Sequence, residues 1–215
     1  MKLVIGDKNY SSWSMRPWLL LKHFGIAFEE VLIELGEPGT KSSILAFSAS
    51  GKVPCLVDDD GFAVWDSLAI AETLVERFPQ HALWPREANA RARARSVSAE
   101  MHSGFGALRN EMPMNIRKQK PGAGATPAAL ADVARIDAIW RACLAESGGP
   151  FLFGEFSIAD AMYAPVVMRF ASYQPALSAE AAAYAGSVRA LPAVADWVEA
   201  ALRETHRVAD DERDD

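Results

Sequence analysis

Cysteine is scarce in this 215-residue chain, with Cys55 and Cys143 the only two. One pair in a chain of this length is not a disulfide framework holding a small core together, and both thiols are expected to be reduced and buried. Long apolar runs are missing as well. A membrane span needs about 20 consecutive apolar residues, and no stretch approaches that. The opening Met1 to Asp7 holds no apolar signal region ahead of a cleavage site, so the expectation is a cytoplasmic protein with no membrane partner. Positive charge is also in deficit: 22 Lys and Arg face 28 Asp and Glu, for a formal net charge of −6. That balance disfavours nucleic acid as a partner, because its backbone is held through basic patches. His23, His81, His102 and His206 lack metal-ligand spacing and the cysteines form no CxxC, so no metal site is expected.

What is present is an ordinary globular balance of 50% hydrophobic and 23% charged residues, enough for one or two domains around a real core. The charge is uneven. The last eight residues, 208–215, carry five acids and one arginine, and read as a disordered, solvated tail.

Periodicity divides the chain. Lys2 to Gly6 is a short apolar run suited to a buried strand. Pro17 to Phe24 has the density of a packed helix, with Pro17 acceptable in its first turn and Gly25 at its end. Ala27 to Leu35 reads as a strand, and Ser42 to Ser48 as a helical turn. Val53 to Val57 and Phe62 to Trp65 flank the turn residues Asp58-Asp59-Asp60-Gly61, a hairpin signal. Ser67 to Phe78 then repeats apolar residues at helical spacing. A β-α-β-α-β-β-α order implies a small mixed sheet covered by helices. Pro79 and Pro85 bracket a connector. Beyond it the signals are helical: one long helix over Glu87 to Glu111, then Pro127 to Glu146, Ser157 to Tyr173, Ser178 to Val188 and Pro192 to Arg207. The expected organisation is a first domain at 1–79, a linker at 80–86, an all-helical domain at 87–207 and the tail at 208–215.

Three segments could carry chemistry. Tyr10-Ser11-Ser12-Trp13-Ser14-Met15-Arg16 lies between the first strand and first helix. Hydroxyls there are ordinarily caps and turn formers. The same placing, with backbone N–H groups and the positive end of a helix, stabilises a thiolate or another anion. Arg16 either adds a fixed positive charge or makes a structural ion pair. Pro54 sits inside an apparent strand, where it removes a ladder donor. An edge position explains it; so does a cis Val53–Pro54 bond that turns the Val53 backbone toward a peptide-like ligand. Asp66-Ser67 precedes a helix. Ser67 is an N-cap candidate, and the same geometry offers its N–H and hydroxyl to a carboxylate while Asp66 faces an ammonium group. Together the three fit a ligand with a thiol, a peptide unit and an α-amino acid end.

Ser11-Ser12-Trp13-Ser14, Lys52-Val53-Pro54, Asp66-Ser67-Leu68-Ala69-Ile70 and Gly154-Glu155-Phe156-Ser157-Ile158-Ala159-Asp160, in this order and spacing, resemble the cytosolic glutathione S-transferase family over nearly the whole chain. The serine pattern is similar to the zeta and theta-like bacterial members, with one departure: zeta-like members read Ser-Ser-Cys where this chain has Trp13. The resemblance implies a thioredoxin-like N-terminal domain followed by an all-helical C-terminal domain, with glutathione as co-substrate and a homodimer. It implies that Ser11 or Ser12 hydrogen-bonds the glutathione sulfur, that Val53 and Pro54 hold the cysteinyl part, that Asp66 and Ser67 hold the γ-glutamyl end, and that Lys52 reaches the glycyl carboxylate. The second-substrate pocket is expected from Trp13, Phe105, Arg109, Met112, Met114, Asn115 and Tyr163, although Met and aromatic residues at helical spacing are more often core.

The activity implied is conjugation of the glutathione thiolate to a small hydrophobic electrophile. Glutathione-dependent isomerisation of the maleylacetoacetate type, peroxide reduction, and a non-catalytic binding role on the same fold are the alternatives. Ser157-Ile158-Ala159-Asp160 is a capping box, with Asp in place of the longer Glu, and belongs to folding.

Overall fold

The computed structural model describes residues 1–212. Four strands, β1 (Lys2–Gly6), β2 (Glu29–Ile33), β3 (Cys55–Val57) and β4 (Ala63–Trp65), form one sheet in the order β2-β1-β3-β4. β1 runs parallel to β2 and antiparallel to β3, with Val4 opposite Val31 and Cys55, and β3 and β4 form the expected hairpin. Alternate residues of β1 point to opposite faces. Leu3 and Ile5 join the main core, whereas Val4 packs with Ile33, Ile44 and Cys55. Both faces of β1 are therefore covered, which is why its sequence is an unbroken apolar run.

The helices of this half are α1 (Ser12–His23), α2 (Thr40–Leu45) and α3 (Ser67–Arg77). α1 begins five residues earlier than the apolar density implied. Pro17 thus lies inside the helix, where its missing N–H leaves the Trp13 carbonyl without the usual bond.

Beyond these come α4 (Ala88–Ser103), α5 (Gly106–Glu111), α6 (Pro127–Ser147), α7 (Ile158–Tyr173), α8 (Ala179–Arg189) and α9 (Pro192–Arg203). The single helix expected over Glu87 to Glu111 is broken. Gly104 adopts an extended conformation in which a Cβ would lie 2.7 Å from the Glu100 carbonyl oxygen, and Phe105 turns left-handed at φ 60°. α9 also ends before Arg207. Arg203 closes it, and the chain turns back toward β1.

α7 is the axis of the molecule, packed against α1, α4 and α8. It is buried around almost its full circumference, as an apolar helix without a polar face must be. Its two charged residues, Asp160 and Arg169, are both buried. Asp160 closes the expected capping box with Ser157. Among the described residues no helix is long and apolar enough to cross a membrane.

The tail departs from expectation. Val208 is buried, Ala209–Asp211 forms a 3₁₀ turn, and the Glu212 carboxylate accepts hydrogen bonds from Tyr10 and Asn115. A buried apolar anchor and paired charges hold residues that their acidity alone would leave in solvent. Residues 213–215 of that tail lie outside the described residues.

Candidate active site

Two adjoining clefts lie where the sheet's loops meet the helices. One, of about 420 Å³, is lined by Ser11, Ser12, Arg109, Met114, Arg169 and Asp211 among others. The second, of about 540 Å³, is lined by Pro54, Trp65, Asp66, Ser67 and His102. Trp13, Lys52 and Val53 border both. The three segments singled out in the sequence therefore converge, and the Val53–Pro54 bond is cis.

The two serines differ in what their hydroxyls are doing. Ser11 is the N-cap of α1, and its Oγ donates to Ser14 Oγ at 2.7 Å, while Ser14 Oγ also accepts from the Gly6 amide at 3.1 Å. Its proton is committed to the fold. Ser12 Oγ instead accepts from Arg169 Nη2 at 3.1 Å. A hydroxyl that accepts from a guanidinium is polarised, and its hydrogen has no acceptor among the described residues. That hydrogen is available to an anion in the 420 Å³ cleft.

Three arginines gather behind this point. Arg16 and Arg109 lie over the Trp13 ring, with their guanidinium carbons 4.1 and 4.6 Å from its centroid. Arg16 donates to the Met162 carbonyl at 3.2 Å and Arg169 to the Met112 carbonyl at 3.1 Å, and Arg109 holds the carbonyls of Met101, His102 and Gly104. None of the three forms an ion pair with a carboxylate among the described residues, so Arg16 does not serve as a structural ion-pair partner. Burial pushes Arg16 well below the ordinary range, with further lowering by Arg109 and Arg169. Burial and Arg109 bring Arg169 down to about 10, still charged at neutral pH. The Arg16 Nη1 is buried without a partner. Two buried arginines and the half-buried Arg109, none in direct contact with a carboxylate among the described residues, focus a positive field on the cleft.

The second cleft has its own division of labour. Asp66, at φ 79°, is the N-cap of α3, so the cap is one residue earlier than expected. Its Oδ1 accepts from the amides of Leu68 and Ala69 at 2.9 and 3.2 Å, and its Oδ2 lies 2.6 Å from His102 Nε2. With Asp66 capping the helix, Ser67 Oγ is buried at the cleft and has no partner within the protein. Burial raises Asp66, but the bond to His102 and the two amides outweigh it and hold the carboxyl below its usual value. His102 also meets the Trp13 ring edge-on at 5.3 Å.

Of the expected second-substrate residues, Trp13, Arg109 and Met114 line the cleft. Phe105, Met112, Asn115 and Tyr163 belong to the core instead. Phe105 forms the left-handed break before α5. Met112 is packed away and offers only its carbonyl to Arg169. Asn115 accepts from Asn9 at 2.9 Å, and Tyr163 donates to the Val97 carbonyl at 3.1 Å. Helical spacing identified a buried face but not which part of it opens. Arg169, His102 and Asp211 were missed. A lone arginine in the middle of the apolar run Ala164 to Phe170 was the available signal for the first. Among the described residues no group of three His, Cys, Asp or Glu side chains is placed to hold a metal ion.

Comparison with known proteins agrees with this geometry. Residues 10–77 match the glutathione S-transferase N-terminal domain and residues 88–200 its C-terminal domain. The chain is 34% identical over 122 residues to a maleylacetoacetate isomerase of Pseudomonas aeruginosa, a match spanning 55% of this chain and 57% of that relative. It is 30% identical to a Caenorhabditis elegans protein named probable maleylacetoacetate isomerase, over 74% of each. A solved maleyl pyruvate isomerase, a bacterial glutathione S-transferase in the zeta class, superposes with a TM-score of 0.74 at 26% identity, covering 96% of this chain and 100% of that one. With both family domains matched in order around the two clefts, this chain belongs to the glutathione S-transferase family.

Proposed function

We propose that this protein is a glutathione-dependent enzyme that adds the glutathione thiolate to an electrophile bearing a carboxylate. The arginine cluster behind Ser12 carries the reading: buried Arg16 and Arg169 and half-buried Arg109, none in a salt bridge with a carboxylate among the described residues, favour anions on both reactants. Family membership supports glutathione as co-substrate, with Ser67 and Asp66 at its γ-glutamyl end, Val53 and cis Pro54 at its cysteinyl amide, and Lys52 at its glycyl carboxylate.

Ser12, polarised by Arg169, donates its hydrogen to the sulfur and raises the thiolate fraction at neutral pH. Arg169 and Arg109 orient the electrophile's carboxylate and stabilise charge that develops as the C–S bond forms. Attack on an activated C=C places the electron pair on the adjacent carbonyl as an enolate. Protonation of the enolate carbon leaves a conjugate. Rotation about the former double bond followed by expulsion of the thiolate returns glutathione and an isomerised alkene. The kinship to named maleylacetoacetate isomerases favours this second outcome; Trp13, where zeta-like members carry Cys, favours the first.

One experiment separates them. The purified protein is incubated with glutathione and a cis-enedioic acid, and products are followed by NMR. A thioether signal supports conjugation, and a trans alkene with unchanged glutathione supports isomerisation. Neither product, together with no glutathione-dependent thermal shift, removes the reading. The family's homodimer is proposed alongside, and sedimentation tests it.

A further inference from the structure

After α9 the chain does not leave the molecule. The Glu204 carboxylate accepts from the amides of Lys8 and Asn9 at 2.7 and 2.9 Å. Arg117, from the loop after α5, donates to the carbonyls of Glu204 and His206 and, at 2.6 Å, to the Tyr10 hydroxyl. His206 Nε2 meets the Leu35 carbonyl at 2.8 Å, and Val208 is buried beside Gly36. Glu212 closes the segment through Lys118 at 2.6 Å, together with Tyr10 and Asn115, and these contacts bring its carboxyl down to about 2 despite the opposing effect of burial. Residues 204–212 thus form a strap fastened on both sides of Asp211. Asp211 itself lines the 420 Å³ cleft with Ser12, Arg109 and Arg169. Its negative field reaches Arg169 and acts against the burial that lowers that group.

We propose that Asp211 is a specificity-determining residue. The strap carries its carboxylate into the arginine-lined cleft, where it competes with the carboxylate of the incoming electrophile. This rests on the reading of that electrophile as anionic. The consequence is discrimination: a carboxylate that binds must outcompete Asp211 for the positive field, and a ligand with two acidic groups meets more of this repulsion than a monoanion. A neutral electrophile meets no such competition. The charge at this position, rather than the apolar wall, sets how strongly acidic substrates are preferred.

The test uses succinate as a non-reactive dicarboxylate probe, titrated into the full-length protein without glutathione and followed by tryptophan fluorescence. Asp211→Asn is expected to tighten succinate binding by about threefold to tenfold, the order of one removed like charge at a partly solvated site. Added salt should shrink the difference. Glu212→Gln loosens the strap but keeps the Asp211 charge, and is expected to leave the affinity within twofold. Equal affinity in wild type and Asp211→Asn overturns the proposal. So does equal tightening by Glu212→Gln, which would assign the effect to strap mobility, and so does failure of both proteins to bind succinate. Glutathione binding measured by thermal shift is the separate arm. Its loss in wild type defeats the proposed glutathione function while leaving the succinate comparison intact, and tightening of glutathione equal to that of succinate overturns specificity.

Discussion

Ser12 and Arg169 stand 157 positions apart in sequence, and the guanidinium of one donates to the hydroxyl of the other at 3.1 Å. The contact joins the first turn of α1 to the buried central helix α7. It also separates two adjacent serines chemically. Ser11 gives its proton to Ser14, whereas the Ser12 hydrogen has no acceptor among the described residues.

Ser12→Ala is therefore expected to lower kcat/KM by about 100-fold, the order found when one donor to a developing anion is removed. The ultraviolet absorbance of bound glutathione thiolate at neutral pH should fall with it. Ser11→Ala should act mainly on folding, costing about 1 kcal/mol as a lost N-cap. Stopped-flow absorbance and urea unfolding of both variants check the assignment. Loss of thiolate in Ser11→Ala alone would reverse it.

Arg169→Met tests whether the arginine cluster is kept for function. Three like charges, none in a salt bridge with a carboxylate among the described residues, oppose the fold, so replacing one with an uncharged side chain of similar length relieves repulsion that burial intensifies. The variant is expected to unfold no earlier than wild type, yet to lose more than tenfold in kcat/KM toward a carboxylate-bearing electrophile. The acid limb of its pH–rate profile should move upward, because Ser12 is no longer polarised and the bound thiol ionises less readily. Calorimetry paired with that profile decides; a large fall in Tm would make Arg169 structural.

The element order of the first half and most helices were legible because β1 and α7 are dense apolar runs, α3 and α6 repeat apolar residues at helical spacing, and the punctuation between them is clear. The order of strands in the sheet was not legible. Asp66-Ser67 and Val53-Pro54 were legible as a candidate site because turn chemistry is local, and the structure brings them to one cleft. The break at Gly104 was hidden, since a single glycine in a helical pattern is often tolerated. The arginine cluster was hidden for another reason. Arg16, Arg109 and Arg169 come from three elements, and only tertiary packing brings them together, Arg16 and Arg109 over the Trp13 ring and Arg169 through Ser12 and the Met112 carbonyl. Residues 208–212 of the tail differ from expectation because their acidity marks solvent exposure in composition, while the partners of Glu212, namely Tyr10, Asn115 and Lys118, lie about 100 residues or more away.

Asp66 joins the cap, the hydrogen bond with His102 and the cleft, and its carboxyl is held below the usual range. A depressed carboxylate contributes stability above its unfolded value, and that contribution is lost as pH falls through the folded one. Asp66→Ala should thus be less stable than wild type by about 1 kcal/mol at neutral pH. The two proteins should converge in acid, as seen by urea titration across the carboxylate range. His102→Ala keeps both amide bonds to Asp66, so most of the cap remains. Its expected effect is a severalfold higher KM for glutathione with kcat little changed.

Asp160 poses the opposite case. Its carboxyl accepts from the amides of Leu152 and Ser157, from the Ser157 hydroxyl and from Tyr184, all between 2.9 and 3.1 Å. Complete burial nevertheless raises it to about 6. A raised carboxyl contributes most stability below its unfolded value, near 3.8, and loses it as pH climbs through the folded one. Asp160→Asn keeps the shape but turns an amide N–H₂ toward groups that donate, so the variant should be less stable than wild type throughout. The gap should narrow between about pH 4 and pH 7, by about 2–3 kcal/mol at about 1.4 kcal/mol per pH unit. Unfolding of both proteins across that range measures the gap directly. A gap that widens with pH would mean that the four donors, and not burial, govern this carboxylate. Because Asp160 lies outside both clefts, glutathione affinity of the folded Asp160→Asn protein should match wild type, which keeps the capping box a matter of folding.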